Sequence, residues 1–227
     1  MFRYLLSVWA RSMLWICGWS GVDENYFKLL RYHKRVVGLF PHTSYFDSII
    51  LSFYLMAYPE LSRAIKTLVM PQLFPRWGWI LRRVGAIEAT KVEDKGNGAV
   101  ERIIKTLENE KCFVLLISPK GTIRKTEWRS GYFWITKGLN CKLAIIGLDY
   151  EKKTILVPYI QALQSCDTPE SLQPSLSKIM GTIVPLRPSK EVVPVRIHDP
   201  KKVSVVSWGR LISVIIVLIL IWKFVVA

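Results

Sequence analysis

Histidine is the side chain best suited to act as a base near neutral pH, and this chain of 227 residues has only three. His33 lies in a basic run from Arg31 to Arg35, where neighbouring cations disfavour protonation, so a solvated surface role is the simpler interpretation. His198 lies in a proline-containing stretch. His42 falls where a predicted strand ends and a predicted helix begins. Ligands bind at the carboxyl ends of strands in open α/β sheets, so His42 is the candidate general base.

Asp47 follows His42 by five residues, and whether the two side chains meet depends on where the helix begins. On one regular helix they would point about 140° apart and could not pair. If His42 stays in the loop and Asp47 lies in the first turn, the carboxylate can accept from one imidazole nitrogen and fix the tautomer. The other nitrogen is then free to act as the base. Ser44-x-x-Asp47 before an apolar run is also a helix capping box, and the two interpretations are compatible.

Other catalytic classes have little support in the sequence. There is no Gly-x-Ser-x-Gly elbow, because the stretch that starts at Gly18 fails at Val22, and there is no P-loop or His-Glu-x-x-His motif. The cysteines are widely spaced, without a Cys-x-x-Cys pair or a nearby histidine, which predicts reduced thiols and neither a zinc site nor a disulfide framework. They are Cys17, Cys112, Cys141 and Cys166.

Composition favours a membrane partner. Hydrophobic residues make up 51% of the chain, the formal net charge is +15, and nine tryptophans are present. The charge predicts anionic partners, and tryptophan is enriched at membrane interfaces. A nucleic-acid tether is compatible with the charge, but the sequence contains no RNA- or DNA-binding motif, so no nucleic-acid partner is expected.

The stretch Val203–Ala227 is predicted to be a single-pass transmembrane anchor, because about 20 apolar residues in a helix span a bilayer. Arg210 and Lys223 flank its apolar centre, where their stems can reach the two interfaces. Basic residues precede the span, so the positive-inside rule places the preceding domain in the cytosol. At the other end, residues 1–22 are predicted to form an amphipathic helix lying in the membrane surface, with a first core helix as the alternative.

Between these segments, strand and helix patterns alternate, which predicts an α/β domain over residues 23–184 with a largely buried sheet. A linker, 185–202, leads to the anchor at 203–227. The predicted strands are Arg35–Phe40, Thr67–Met70, Gly85–Ala89, Cys112–Ile117, and the paired Lys142–Asp149 and Thr154–Tyr159. The predicted helices are Ser44–Tyr58, Gln72–Val84, Gly98–Asn109, Ser130–Gly138 and Ser171–Met180.

Ordered sequence blocks carry a family resemblance. Pro41-His-Thr-Ser-Tyr-Phe-Asp47 resembles the His-x4-Asp motif of the lysophospholipid (1-acylglycerol-3-phosphate) acyltransferase family. The stretch Gly78–Ile87 is similar to the second block of that family, and Ser118-Pro-Lys-Gly-Thr-Ile-Arg124 to the third, usually Pro-Glu-Gly-Thr-Arg. Trp128–Tyr132 and Ile146–Tyr150 match stretches that commonly follow. One such motif is weak, but several in the right order are specific.

The resemblance implies an acyltransferase-type mixed sheet flanked by helices, and it implies roles for individual residues. His42 would deprotonate the acceptor hydroxyl as it attacks an acyl thioester, and Asp47 would orient His42. The third block would hold the acceptor phosphate, and Lys91 falls where the second block carries a phosphate-binding arginine. The implied substrate-binding residues are Lys91, Lys120, Gly121, Thr122 and Arg124.

The resemblance also implies the partners. The donor would be acyl-CoA, with acyl carrier protein as the alternative, and the acceptor would be an anionic glycerol-phosphate lipid such as lysophosphatidate. No cofactor or metal ion is expected.

The chain departs from the family pattern in its third block, where Lys120 replaces the usual glutamate and Ile123 separates Thr122 from Arg124. In the second block, Lys91 lacks the bidentate fork of an arginine. These changes leave a second hypothesis, a catalytically impaired lipid-binding membrane protein on the same fold.

Overall fold

The computed structural model describes residues 2–19, 33–58, 64–83, 85–90, 98–121 and 127–186. The strands in these ranges are β1 Arg35–Leu39, β2 Ile65–Val69, β3 Ala86–Glu88, β4 Phe113–Ile117, β5 Lys142–Asp149 and β6 Thr154–Ala162. The helices are α1 Phe2–Ile16, α2 Tyr45–Ala57, α3 Phe74–Arg83, α4 Gly98–Leu107, α5 Gly131–Gly138 and α6 Pro169–Met180, with a 3-10 turn at Pro71–Leu73.

The strands form one mixed sheet in the order β3-β2-β4-β1-β5-β6. The first five strands in that order run parallel, and β6 pairs antiparallel with β5. The predicted α/β class with a mixed sheet is therefore confirmed. Strand β4 is apolar and buried at every position, as expected for a central parallel strand covered on both faces.

Helices cover both faces of the sheet, and successive strand residues point to opposite sides. On one side, Val36 and Val114 pack with apolar residues of α1 and α2. On the other side, Val37 and Leu115 pack with residues of α4, α5 and α6. This two-sided burial explains why the central strands read as continuous apolar runs.

Helix α1 packs along α2 with one face and exposes the other. Ser7 Oγ and Arg11 Nε each donate a 2.9 Å hydrogen bond to the carbonyl oxygen of Ala57, which is the last residue of α2. The side chains of Trp9 and Trp15 are about half exposed, and the ring of Trp9 also contacts Phe53 of α2, with centroids 5.4 Å apart. One face of this segment therefore belongs to the core, as in the alternative of a first core helix, and its contact with a membrane surface stays a prediction.

Within the described ranges, no helix combines the length and the apolar character needed to cross a bilayer. The predicted anchor, residues 203–227, and most of the predicted linker lie outside the described residues.

Five predicted boundaries need correction by two residues or more. Helix α4 ends at Leu107, two residues before its predicted end, and α6 begins at Pro169, two residues before its predicted start. The predicted helix 72–84 is preceded by the 3-10 turn, and regular α-helix begins at Phe74. Pro71 and Pro75 each lack a backbone N–H donor, and each stands at the start of its element, where that donor has no partner within the helix. Strand β2 begins earlier than predicted, at Ile65, and β6 continues to Ala162, because pairing with neighbouring strands extends both.

Candidate active site

His42 lies in the loop that joins β1 to α2. The loop leaves the sheet after Phe40, whose amide donates to the carbonyl oxygen of Ile117 over 2.9 Å. Ser44 is the N-cap of α2, in extended conformation, and forms a reciprocal capping box with Asp47 at the third helical position. His42 therefore remains in the loop and Asp47 lies in the first turn, which is the condition under which the two side chains can meet.

The carboxylate of Asp47 is the centre of the hydrogen-bond network at this site. Its Oδ2 accepts from the amides of Thr43 over 2.7 Å and of Ser44 over 2.8 Å, and it lies 3.3 Å from Nδ1 of His42. Its Oδ1 accepts a 2.7 Å hydrogen bond from the hydroxyl of Tyr150. The residue is 1% exposed, so these contacts replace water around a buried carboxylate.

These contacts determine which nitrogen of His42 is free. Both backbone partners of Asp47 can only donate, so Oδ2 acts as an acceptor, and the helix N-terminus favours negative charge there. Nδ1 of His42 then carries the proton that faces Asp47, and Nε2 is left with its lone pair. The His42 side chain is 23% exposed, so a substrate can reach it, whereas Asp47 is shielded behind it.

Tyr150 is a site residue whose contact the sequence did not predict. It follows the last residue of β5, and its ring packs edge-on against Trp19 with centroids 5.1 Å apart. Burial raises the pKa of its hydroxyl well above the ordinary value, and the adjacent charge of Asp47 raises it further. The phenol therefore stays protonated and remains a donor to Asp47. The available signal was its place in the block Ile146–Tyr150, to which no role was assigned.

Gly147 in β5 leaves room for the residue that precedes His42. A Cβ atom at this position would lie 3.0 Å from Cγ of Pro41 and 2.7 Å from Cδ1 of Ile183. The register between β5 and β6 also shifts between Ile145 and Gly147. The His42 loop therefore lies directly on β5, at a point where only glycine fits without displacing a neighbour.

The third sequence block lies at the same edge of the sheet as His42. Leu39 at the end of β1 pairs with Ile117 at the end of β4, so the loops that follow these strands leave side by side. In the second loop, Gly121 adopts φ +73°, a left-handed conformation suited to glycine, and its amide donates to the carbonyl oxygen of Ser118 over 2.9 Å. Lys120 in this turn is half-buried.

The remaining predicted substrate-binding residues, Lys91, Thr122 and Arg124, lie outside the described residues. The structure therefore brings His42 and Asp47 into contact and places Lys120 and Gly121 at the same edge.

Comparison with known families agrees with these blocks. The family model described as Acyltransferase matches residues 24–158, well over half of the chain. This chain belongs to the acyltransferase family. The matched region contains His42, Asp47, Gly147 and Tyr150, so the family recognised from the sequence blocks is confirmed.

The fold of this acyltransferase resembles that of a solved relative. The crystal structure of the 1-acyl-sn-glycerophosphate (LPA) acyltransferase PlsC from Thermotoga maritima aligns with a TM-score of 0.51 and 9% sequence identity. The alignment covers 78% of this chain and 76% of that chain. At this identity the likeness concerns the fold. No curated protein matches the chain.

Among the described residues of the acyltransferase, no group of three or more His, Cys, Asp or Glu side chains could hold a metal ion. The described part of the site brings together an imidazole, a buried carboxylate and a phenol donor, next to a basic turn. The catalytic roles of His42 and Asp47 stay predictions.

Proposed function

We propose that this acyltransferase moves a fatty acyl group from acyl-CoA to the free hydroxyl of a glycerol-phosphate lipid, with lysophosphatidate as the preferred acceptor. The observation that carries the proposal is the 3.3 Å contact between His42 Nδ1 and Asp47, at the sheet edge that also holds Lys120 and Gly121. The acceptor class is supported by the resemblance of the sequence blocks and by the fold likeness to an LPA acyltransferase.

The proposed reaction is a direct acyl transfer. Nε2 of His42 takes the proton of the acceptor hydroxyl while the hydroxyl oxygen attacks the thioester carbonyl carbon. A new carbon–oxygen bond forms, the carbon–sulfur bond breaks, and the imidazolium returns the proton to the departing thiolate. Asp47 stabilises the imidazolium that forms in between, and Tyr150 and the two N-cap amides hold the carboxylate in position.

Phosphate binding is proposed for the basic turn after β4. Gly121 has a left-handed conformation and no side chain to block the approach of a phosphate, and Lys120 would add a charge-assisted donor. Thr122 and Arg124 continue this segment, and Lys91 completes the proposed set. The net charge of +15 agrees with an anionic acceptor held at an anionic surface.

Membrane binding is proposed for the same edge of the sheet. The side chains that we call the edge patch belong to α2, the loop after β2, the 3-10 turn and α3, and each is at least two-fifths exposed: Phe46, Ile49, Met70, Leu73 and Trp79. Contact between this patch and a bilayer would place His42 where a lipid acceptor and an acyl chain enter. The predicted anchor at 203–227 would tether the domain on the cytosolic side.

The test is an acyl-transfer assay on the purified full chain in detergent. Labelled acyl-CoA or acyl-loaded carrier protein is offered with lysophosphatidate, glycerol 3-phosphate or lysophosphatidylcholine. We expect turnover with acyl-CoA and lysophosphatidate, and we expect His42→Ala to lower kcat by roughly 10²–10⁴-fold, the usual contribution of a general base. His198→Ala removes a histidine outside the described residues and is the matched control.

Three results would change this assignment. Turnover only with acyl-loaded carrier protein would replace the donor, and preference for another acceptor would replace lysophosphatidate. Absence of turnover with every pair, in protein that still binds lysophosphatidate, would favour the impaired lipid-binding hypothesis that the Lys120 substitution raises. Full activity in His42→Ala would remove the base assignment.

A further inference from the structure

A second basic site lies at the opposite ends of the strands from His42, where β1 and β5 begin. A cavity of ≈ 460 Å³ opens where β1 and β5 begin. The C-terminal end of α5 and the residues at the end of β6 also line it. Arg35 is the first residue of β1, and Lys142, the first residue of β5, pairs with Val36 in parallel register. Along β1 alone, at about 3.3 Å per residue, the two edges are roughly 13 Å apart, and the His42 loop lies farther still.

The charge of this cavity is one-sided. Five of the residues that line it are basic, and no carboxylate lines it within the described part of the chain. The five are His33, Lys34, Arg35, Lys137 and Lys142. The +15 charge of the chain therefore has a second concentration, away from the sequence blocks of the acyltransferase site.

The guanidinium of Arg35, which lines this site, has few contacts within the described part of the chain. Its Nη2 donates to the carbonyl oxygen of Glu108 over 3.4 Å, and the guanidinium lies over the ring of Phe113, 5.5 Å from the centroid. Its Nε is buried and has no hydrogen-bond partner.

The pKa of His33 responds to the positive charge of this cavity. Partial burial and the charge of Lys142 lower the pKa of His33 below its ordinary value. A bound anion would reverse the second of these effects, so the imidazole offers a spectroscopic reporter inside the cavity.

We propose that this cavity, lined by Arg35, Lys142 and their basic neighbours, binds a phosphomonoester group, separately from the acyl-transfer site. Guanidinium and ammonium donors arranged around one concave surface match the oxygens of a phosphate. The volume lies within the usual range of about 300–1,000 Å³ for small-molecule pockets. The carrier of the phosphate is a soluble phosphorylated molecule or a lipid headgroup, and these two sources share the chemistry that the cavity recognises.

The test follows the imidazole resonances of the full chain in detergent, because three histidines give three Cε1 signals. His33→Gln identifies the signal of the cavity. Inorganic phosphate, glycerol 3-phosphate and coenzyme A are titrated at constant ionic strength against sodium chloride, and vesicles with or without phosphatidate form a separate arm. We expect a saturable movement of the His33 signal with a phosphomonoester and none with chloride. A response confined to phosphatidate vesicles assigns the lipid headgroup as the source.

Substitutions decide whether the movement reflects this cavity. Arg35→Gln and Lys142→Gln should each weaken binding by about tenfold or more, the loss expected for one charge-assisted hydrogen bond. Lys178→Ala removes an exposed charge elsewhere and should leave the affinity unchanged. Equal weakening in Lys178→Ala would indicate non-specific attraction and overturn the proposal, and so would a His33 signal that no phosphomonoester moves. His42→Gln should leave the movement intact, so the result does not depend on the proposed reaction.

Discussion

The hydroxyl of Tyr150 donates a 2.7 Å hydrogen bond to Oδ1 of Asp47, although 103 positions separate the two residues in the chain. This bond joins the end of β5 to the first turn of α2. Oδ1 is not the oxygen that contacts His42. The other oxygen, Oδ2, accepts from the amides of Thr43 and Ser44 and lies 3.3 Å from Nδ1 of His42. We therefore predict that Tyr150 is a positioning residue, which would act on the proposed base, His42, through Asp47.

Replacement of Tyr150 by phenylalanine should lower kcat while the acceptor KM changes little. The ring can keep its edge-on contact with Trp19, but Oδ1 of Asp47 loses its donor in a buried position. Hydrogen bonds to charged groups contribute about 1.5–3 kcal/mol, so a loss of about tenfold in kcat is expected. Steady-state kinetics with lysophosphatidate measure both constants.

Tyr159→Phe is the matched control, because it removes a hydroxyl whose partner is Gln161 on β6. It should leave both constants unchanged. If Tyr150→Phe keeps the wild-type kcat, the phenol does not position Asp47 for catalysis.

Two substitutions of Asp47 should separate the effect of its negative charge on kcat from the effect of its hydrogen bonds on stability. In Asp47→Asn the amide oxygen can still accept from Thr43 and Ser44, and the amide nitrogen can donate to the hydroxyl of Tyr150, which rotates to accept. The fold should persist, but the imidazolium loses its counter-charge, so kcat should fall by about 10²-fold or more. In Asp47→Ala the same donors lose their acceptor, and the free energy of unfolding should fall by about 3 kcal/mol.

Thermal or chemical unfolding, measured beside the acyl-transfer rate, tests this separation. An asparagine variant as unstable as the alanine variant would contradict the rearranged hydrogen bonds. An asparagine variant with full activity would contradict the need for the charge.

Gly147→Ala should disturb the His42 loop from the side of the sheet. The added methyl group would meet Pro41 and Ile183 at 3.0 Å and 2.7 Å, distances that require one of them to move. Overpacking of this kind costs about 1–3 kcal/mol, and displacement of Pro41 should also lower kcat. In the matched control, Gly131→Ala, the nearest atom is Cγ2 of Val100 at 3.8 Å, an ordinary contact. Equal stability and activity in the two variants would show that the His42 loop does not depend on this packing.

Much of the scaffold could be predicted from local patterns. The apolar run that became β4 and the strand β5 were predicted within a residue of their ends, because burial on both faces requires continuous apolar sequence. The contact between His42 and Asp47 could be predicted only conditionally. It depends on where α2 begins, and Ser44 determines that point as the N-cap.

The contributions of Tyr150 and Gly147 could not be predicted in this way. Both depend on β5 lying beside β1, and the strand order is not the order of the chain. Local periodicity predicts that a strand exists and which of its residues share a face. It does not predict which other strand lies next to it. The hydrogen bond of Tyr150 and the contact between Gly147 and Pro41 arise from that placement alone.

The edge patch offers a test of whether the acyltransferase contacts a bilayer through this surface. Trp79 on α3 belongs to the patch and is 65% exposed, whereas Trp134 on α5 is 49% exposed and does not belong to it. Both are exposed indoles of the same protein, so they can be compared directly. An indole that inserts into a bilayer transfers apolar area from water, which contributes about 25 cal/mol per Å².

We expect the emission of Trp79, and not that of Trp134, to be quenched by brominated acyl chains when the full chain is reconstituted in vesicles. The contribution of each indole is obtained by subtracting the emission of Trp79→Ser or Trp134→Ser from that of the wild type. The subtraction removes the emission of the other eight of the nine tryptophans. Vesicles with unbrominated lipid provide the reference intensity. Because the quenching requires close contact, anchoring of the chain elsewhere cannot produce it at Trp79. A Trp79 contribution that brominated lipid leaves unchanged would contradict membrane contact through the edge patch.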